Sequence, residues 1–101
     1  MQELELSFAV ALVKQVAASE FEAKVESGEV EEVVRAVLFE PRNLWHAMQS
    51  GLVTRRETAN AVAAHVHTWL MDRSGRSWGE QDMSKWDAFI GALEAALSSP
   101  K

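Results

Sequence analysis

A chain of 101 residues with net charge −5, 48% hydrophobic and 25% charged side chains, has room for one core and is expected to form a single globular domain, residues 1–101. It contains no cysteine, which excludes disulfides, thiol catalysis and cysteine-held zinc. No apolar run approaches the roughly 18 residues that a membrane span requires. The acidic start, with Glu3 and Glu5, lacks the basic region of a signal peptide, so a soluble, cytoplasmic protein with no membrane partner is expected.

The first predicted helix covers residues 8–19, where Phe8, Leu12 and Val16 recur at four-residue steps with Ala9 and Val13 alongside and Ser7 placed to cap. The run from Leu4 to Phe8 also alternates like a strand, but no second alternating run exists to pair with it. Ser19 and Glu22 stand at capping-box spacing, so the chain either bends there into a short helix or runs on to Ser27. Gly28 is a natural stop, and Val30, Val33, Val34 and Val37 give residues 29–39 a second helical stripe. Pro41 ends or restarts the helix and suits the first turn of a helix over residues 42–50, closed by Gly51.

Thr54 and Glu57 form a capping box that starts a helix over residues 55–72, with Ala59, Val62, Val66, Trp69 and Leu70 inward and Gly75 as its stop. A polar loop over residues 73–82 follows. Ser84 is placed to cap a last helix carrying Trp86, Phe89, Ile90, Leu93 and Leu97 on one stripe. Gly91 lies inside that stripe, which suggests close approach of a neighbouring helix. Residues 98–101 are expected to fray. The fold class is therefore all-α, a compact bundle of four to five short helices.

Charge is unevenly spread: residues 1–40 hold nine acids and three bases, residues 41–76 five bases and two acids. Glu20, Glu22, Glu26, Glu29, Glu31 and Glu32 fall within thirteen residues. On a continuous helix Glu22, Glu26, Glu29 and Glu32 would form one acidic ridge suited to a basic partner. The acidic first part of one copy could also meet the basic middle of another, giving a homodimer. Trp78 stands in a polar loop between Arg76 and Glu80, either folded back as a lid or exposed as an anchor for a partner.

Arg55 and Arg56, at the start of a helix, raise the alternative of an anion or nucleic-acid contact. Ala47 and Gly51 match the alanine-to-glycine spacing of the helix-turn-helix family over some 20 residues, and a nucleic-acid-binding regulator would use residues 42–76. The resemblance fails where that family's second helix needs apolar anchors, because Glu57 and Asn60 occupy those positions. A global charge of −5 also disfavours nucleic acid.

His65 and His67 are two apart and cannot share a metal on one helix, and no HExxH, glycine-rich phosphate loop or G-x-S-x-G elbow is present. No metal, no cofactor and no catalytic residue is expected. The expected function is that of a small acidic, non-enzymatic protein-interaction module: an adaptor or a stoichiometric inhibitor of a larger, basic partner. In size and charge alone it is similar to bacterial immunity proteins and phage anti-defence proteins. The nucleic-acid-binding regulator is the alternative.

Overall fold

In a computed structural model, residues 6–40 and 43–97 are described; Pro41, the alternating run before Leu6 and the tail 98–101 lie outside them. The protein is all-α. Among the described residues, five helices, α1 Ser7–Glu20, α2 Ser27–Phe39, α3 Leu44–Gln49, α4 Arg55–Ser74 and α5 Met83–Leu97, account for the regular structure, with a 3-10 turn at Glu80–Asp82. Among the described residues there is no strand, and no helix is long and apolar enough to cross a membrane. α1 packs on α2, α2 on α4, α4 on α5 and α5 back on α1, so the four longer helices close a ring around one core. Short α3 bridges α2 and α4 at a corner of that ring.

The buried stripe of α1 is Ala9, Val10, Val13 and Ala17, not Phe8, Leu12 and Val16. Phe8 is 67% exposed, and Leu12 and Val16 lie half-buried at the edge. The two lines are neighbours on the helix surface. The buried one carries alanine at both ends, which lets adjacent helices approach. Ser7 is the first helical residue; Leu6 holds the cap position, with no side-chain cap.

The chain leaves α1 at Glu20, and the capping box expected at Ser19 does not form. The Ser19 hydroxyl donates to the Gln15 carbonyl at 2.9 Å, back along its own helix. Glu22 turns into the left-handed region at φ 52, and the Ala23 N–H returns to the Ala17 carbonyl at 2.9 Å. An L-residue in that region costs about 1–2 kcal/mol. α2 then starts with a capping box of its own, in which the Glu29 carboxylate accepts the Glu26 N–H at 3.2 Å. Gly28 therefore lies inside the first turn of α2 and stops nothing.

From α3 onward the local signals at Gly51, Thr54 and Gly75 hold, and the one at Ser84 does not. The Asn43 side chain accepts the His46 N–H at 2.9 Å and starts α3 two residues later than expected. Gly51, at φ 83, closes it with the Leu52 N–H on the Ala47 carbonyl (2.8 Å) and its own N–H on the Met48 carbonyl (3.2 Å), a Schellman arrangement. At Thr54 the hydroxyl accepts the Glu57 N–H (3.0 Å) and the Glu57 carboxylate accepts the Thr54 N–H (2.8 Å). α4 ends at Gly75, φ 77, whose N–H donates to the Met71 carbonyl at 2.8 Å. Ala59, Val62, Ala63, Val66 and Leu70 are fully buried along α4, while Trp69 is half-buried beneath the Arg73 guanidinium, 5.3 Å from the ring centre. Before α5, the Asp82 carboxylate accepts the Gly79 N–H at 2.9 Å, so the chain turns earlier than expected and Ser84 falls inside the helix.

Gly91 has no close neighbour to require it. A Cβ there would meet only the Arg56 Nη1, at an ordinary contact distance of 3.8 Å. Because glycine inside a helix is less favourable than alanine by about 1 kcal/mol, Gly91→Ala is expected to raise the free energy of unfolding by about 0.5–1 kcal/mol, read by urea denaturation. Removing the α4 cap with Thr54→Ala is expected to lower it by about 0.5–2 kcal/mol in the same assay.

Candidate functional site

Two features at opposite ends of α4 stand out from the bundle. At its C-terminal end the chain brings together the end of α1, the start of α2, the segment 75–82 and the start of α5. Phe21, His67, Trp78, Trp86 and Phe89 meet there as one aromatic cluster. The Trp78 ring lies 5.4 Å from Phe21, 5.7 Å from Trp86 and 5.8 Å from Phe89, centre to centre, the last two edge-to-face. It stacks on His67 at 5.9 Å and an interplanar angle of 25°. His67 also meets Trp86 edge-on at 5.1 Å and Phe21 at 5.7 Å. Trp78 is thus a half-buried lid, the first of the two roles its sequence allows.

One hydrogen bond fixes this lid: the Trp78 backbone N–H donates to His67 Nε2 at 3.0 Å. Accepting there requires a neutral imidazole with its proton on Nδ1. Partial burial pushes the His67 pKa below its ordinary value of 6.5, in keeping with that role. The indole Nε1 of Trp78 is buried and has no hydrogen-bond partner. An unpaired buried donor costs about 1–3 kcal/mol, so the ring is held by packing and not by its polar atom.

Ion pairs fence the cluster. Arg76 pairs with Glu22 at 2.9 Å, Arg73 with Glu29 at 3.0 Å, and Lys85 with Glu20 at 2.9 Å and Asp82 at 3.8 Å. The Glu29 carboxyl is held below the usual carboxylate range, first by the Glu26 N–H and then by Arg73. The Lys85 ammonium is pushed up by its hydrogen bond to Glu20.

The continuous acidic ridge is therefore not what the chain builds. Glu22 lies in the α1–α2 connection, Glu26 caps α2, and Glu29 and Glu32 ride on α2 itself. Glu20, Glu22, Glu29 and Glu31 each hold a base of this chain, the last through Arg35. Glu32 is exposed and has no hydrogen bond or ion pair among the described residues. Complementarity between the acidic first part and the basic middle is met within the chain wherever Arg73 and Arg76 stand.

The other feature is the corner of α3 and the turn into α4. Leu44, Trp45 and Met48 make α3 strongly apolar, yet it contains no buried residue. Leu52 is 78% exposed and Val53 is half-buried. Of the paired arginines beside this corner, Arg56 is engaged by Asp87 and Glu94 of α5. Arg55 is exposed and has no partner among the described residues. With α3 six residues long, α4 twenty, and Glu57 consumed by the cap, the geometry departs from a helix-turn-helix.

Chemistry-bearing groups are sparse. Among the described residues no three of His, Asp and Glu converge as a metal site. Ser50 Oγ and His46 Nε2 are 3.4 Å apart, longer than the roughly 2.6–3.2 Å of a serine activated by a base. The residues that sequence reasoning passed over are Phe21 and His67. The position of His67 was legible: it stands four residues after Ala63 and three before Leu70, on the flank of the buried stripe. No protein-family model, curated protein or solved structure matches the chain.

Since Trp78 contributes packing and an unpaired N–H, its two replacements should separate. Trp78→Ala is expected to cost about 2–4 kcal/mol of stability through the cavity it leaves. Trp78→Phe keeps a ring and removes the orphan donor, and is expected to cost about 1 kcal/mol or less by urea denaturation.

Proposed function

We propose that the chain is a small non-enzymatic protein-interaction module, an adaptor or stoichiometric inhibitor, and that it docks through the corner of α3 and the turn into α4. The observation that carries this is the 78% exposed Leu52, set beside Leu44, Trp45, Met48 and Val53, which are only half-buried. An exposed leucine beside a half-buried tryptophan suits the centre of an interface. The neighbouring Arg55 has no counterion among the described residues, and its charge opposes the α4 dipole. The partner surface that fits is apolar at its centre and carries a carboxylate opposite Arg55. Docking a basic partner through the acid run would instead compete with the arginines and the lysine that Glu20, Glu22, Glu29 and Glu31 already hold.

The test is affinity capture from the source cell with tagged wild type, Leu52→Asp, Glu32→Lys and Arg55→Ala, each with and without nuclease. A protein retained after nuclease, lost at least about tenfold with Leu52→Asp and kept with Glu32→Lys, is the expected result. Each variant changes an exposed side chain, so circular dichroism should be unchanged, as is usual for surface substitutions. Loss with Glu32→Lys alone would move the contact to the acid run. Capture abolished by nuclease and by Arg55→Ala would replace the interaction module with a nucleic-acid binder.

A further inference from the structure

We propose that the segment 76–82 is a proton-sensitive strap: protonation of His67 breaks the bond its Nε2 accepts from the Trp78 N–H and releases the segment from the aromatic cluster. The conflict is steric and unconditional. An imidazolium carries hydrogen on both nitrogens, so Nε2–H would point at the Trp78 N–H across 3.0 Å, donor against donor. No rotation of the ring restores an acceptor. Opposing this, a cation stacked on Trp78 is attracted by the indole face. Burial acts the other way and pushes the His67 pKa below its ordinary value.

The charges that face this site come from every element around it. They are Glu20 and Glu22 at the end of α1 and just after it, Glu29 on α2, Arg73 on α4, Arg76 and Asp82 in the strap region, and Lys85 on α5. Most of them cancel in the pairs already described. Histidine is the side-chain type whose ordinary titration falls between about pH 5 and 8, and His67 is the histidine of this cluster.

Once that bond is broken, the strap is retained by the packing of the Trp78 ring on Phe21, Trp86 and Phe89. The exposed Arg76–Glu22 pair adds little, being weak and screened by salt. The sign follows from linkage. The His67 pKa is lower with the strap closed than with it open, so the open form binds more protons and acid favours opening. Opening lifts Trp78 away and bares Phe21, Trp86 and Phe89. The docking corner at Leu52 is not involved, so this inference does not depend on the proposed function.

Hydrogen exchange of the Trp78 amide by NMR, from pH 7.5 to 5 and corrected for the intrinsic rate, tests the strap directly. The opening constant is expected to be flat above about pH 7 and to rise below about pH 6.5, by no more than tenfold per pH unit for one proton. Amides of Val62 and Leu70 should keep their protection. In His67→Gln the pH dependence should vanish, while His46→Gln and His65→Gln should retain it. Nitrogen shifts of the wild-type ring should show the neutral tautomer protonated on Nδ1, with a titration midpoint shared by the Trp78 amide. Flat Trp78 protection down to pH 5 would overturn the strap, as would an unchanged rise in His67→Gln or a neutral ring protonated on Nε2. If His67→Gln leaves the amide unprotected at every pH, the wild-type midpoints decide, and midpoints that differ refute the proposal.

Discussion

Ala59, Val62, Ala63, Val66 and Leu70 lie on one face of α4 with no exposed surface, and α2 and α5 pack on this helix most extensively. α4 is the helix that packs on α2, α3 and α5. Alanines at 59 and 63 allow two neighbours to come close on the same stripe. The one polar residue on that face, Thr58, returns its hydroxyl to the Thr54 carbonyl at 3.0 Å and so brings no unpaired group into the core. Each buried valine or leucine contributes about 1.5–3 kcal/mol relative to leaving it exposed. Twenty residues of helix span about 30 Å, most of the 38 Å length of the molecule, so the two ends of α4 decide what stands at the two ends of the bundle.

The charge pattern follows from the same placement. Because the C-terminal end of α4 arrives beside the α1–α2 connection, Arg73 and Arg76 reach Glu29 and Glu22, more than forty residues away along the chain. A sequence with its acids gathered early and its bases gathered in the middle thereby becomes a surface of alternating sign around one aromatic cluster. These pairs are exposed and contribute little energy each. Their effect is to select which way the segment after Gly75 runs. The energy comes from the rings they surround, above all from Trp78, whose packing outweighs an indole N–H left without a partner.

Signals that are local in the chain were legible in the sequence. The Thr54 box, Gly51 and Gly75 act within one helical turn, and each closes or opens its helix as its chemistry requires. The stripes of α4 and α5 were legible too, because their apolar residues fill one face and leave no choice. α1 offers two adjacent apolar lines, and only its neighbours select the one with alanines; Phe8 was misplaced for that reason. At Ser19 two local options compete, a cap or a bond back to Gln15, and the left-handed turn at Glu22 decides between them. The acidic ridge failed as a continuous face because it assumed one helix from Glu22 to Glu32. The chain bends through residues 21–26, and its acids are drawn to bases whose approach depends on the path of α4. Trp78 and His67 were legible as types but not as a pair, since their bond exists only after the strap folds back.

What the bundle leaves unsatisfied is also divided between the ends of α4. Arg55 and His67 are twelve residues apart, about 18 Å along the helix axis, with the fully buried Ala59, Val62, Ala63 and Val66 between them. At the corner by the start of α4, Leu52 is exposed and the leucine, tryptophan and methionine of α3 are half-buried. The cluster at the far end is closed by one backbone hydrogen bond to a titratable ring, and nothing seated on Leu52 touches it. Sites so far apart and without a shared partner act additively. On the two proposals made above, α4 would carry two separate devices, a contact surface at its start and a proton-dependent closure toward its end.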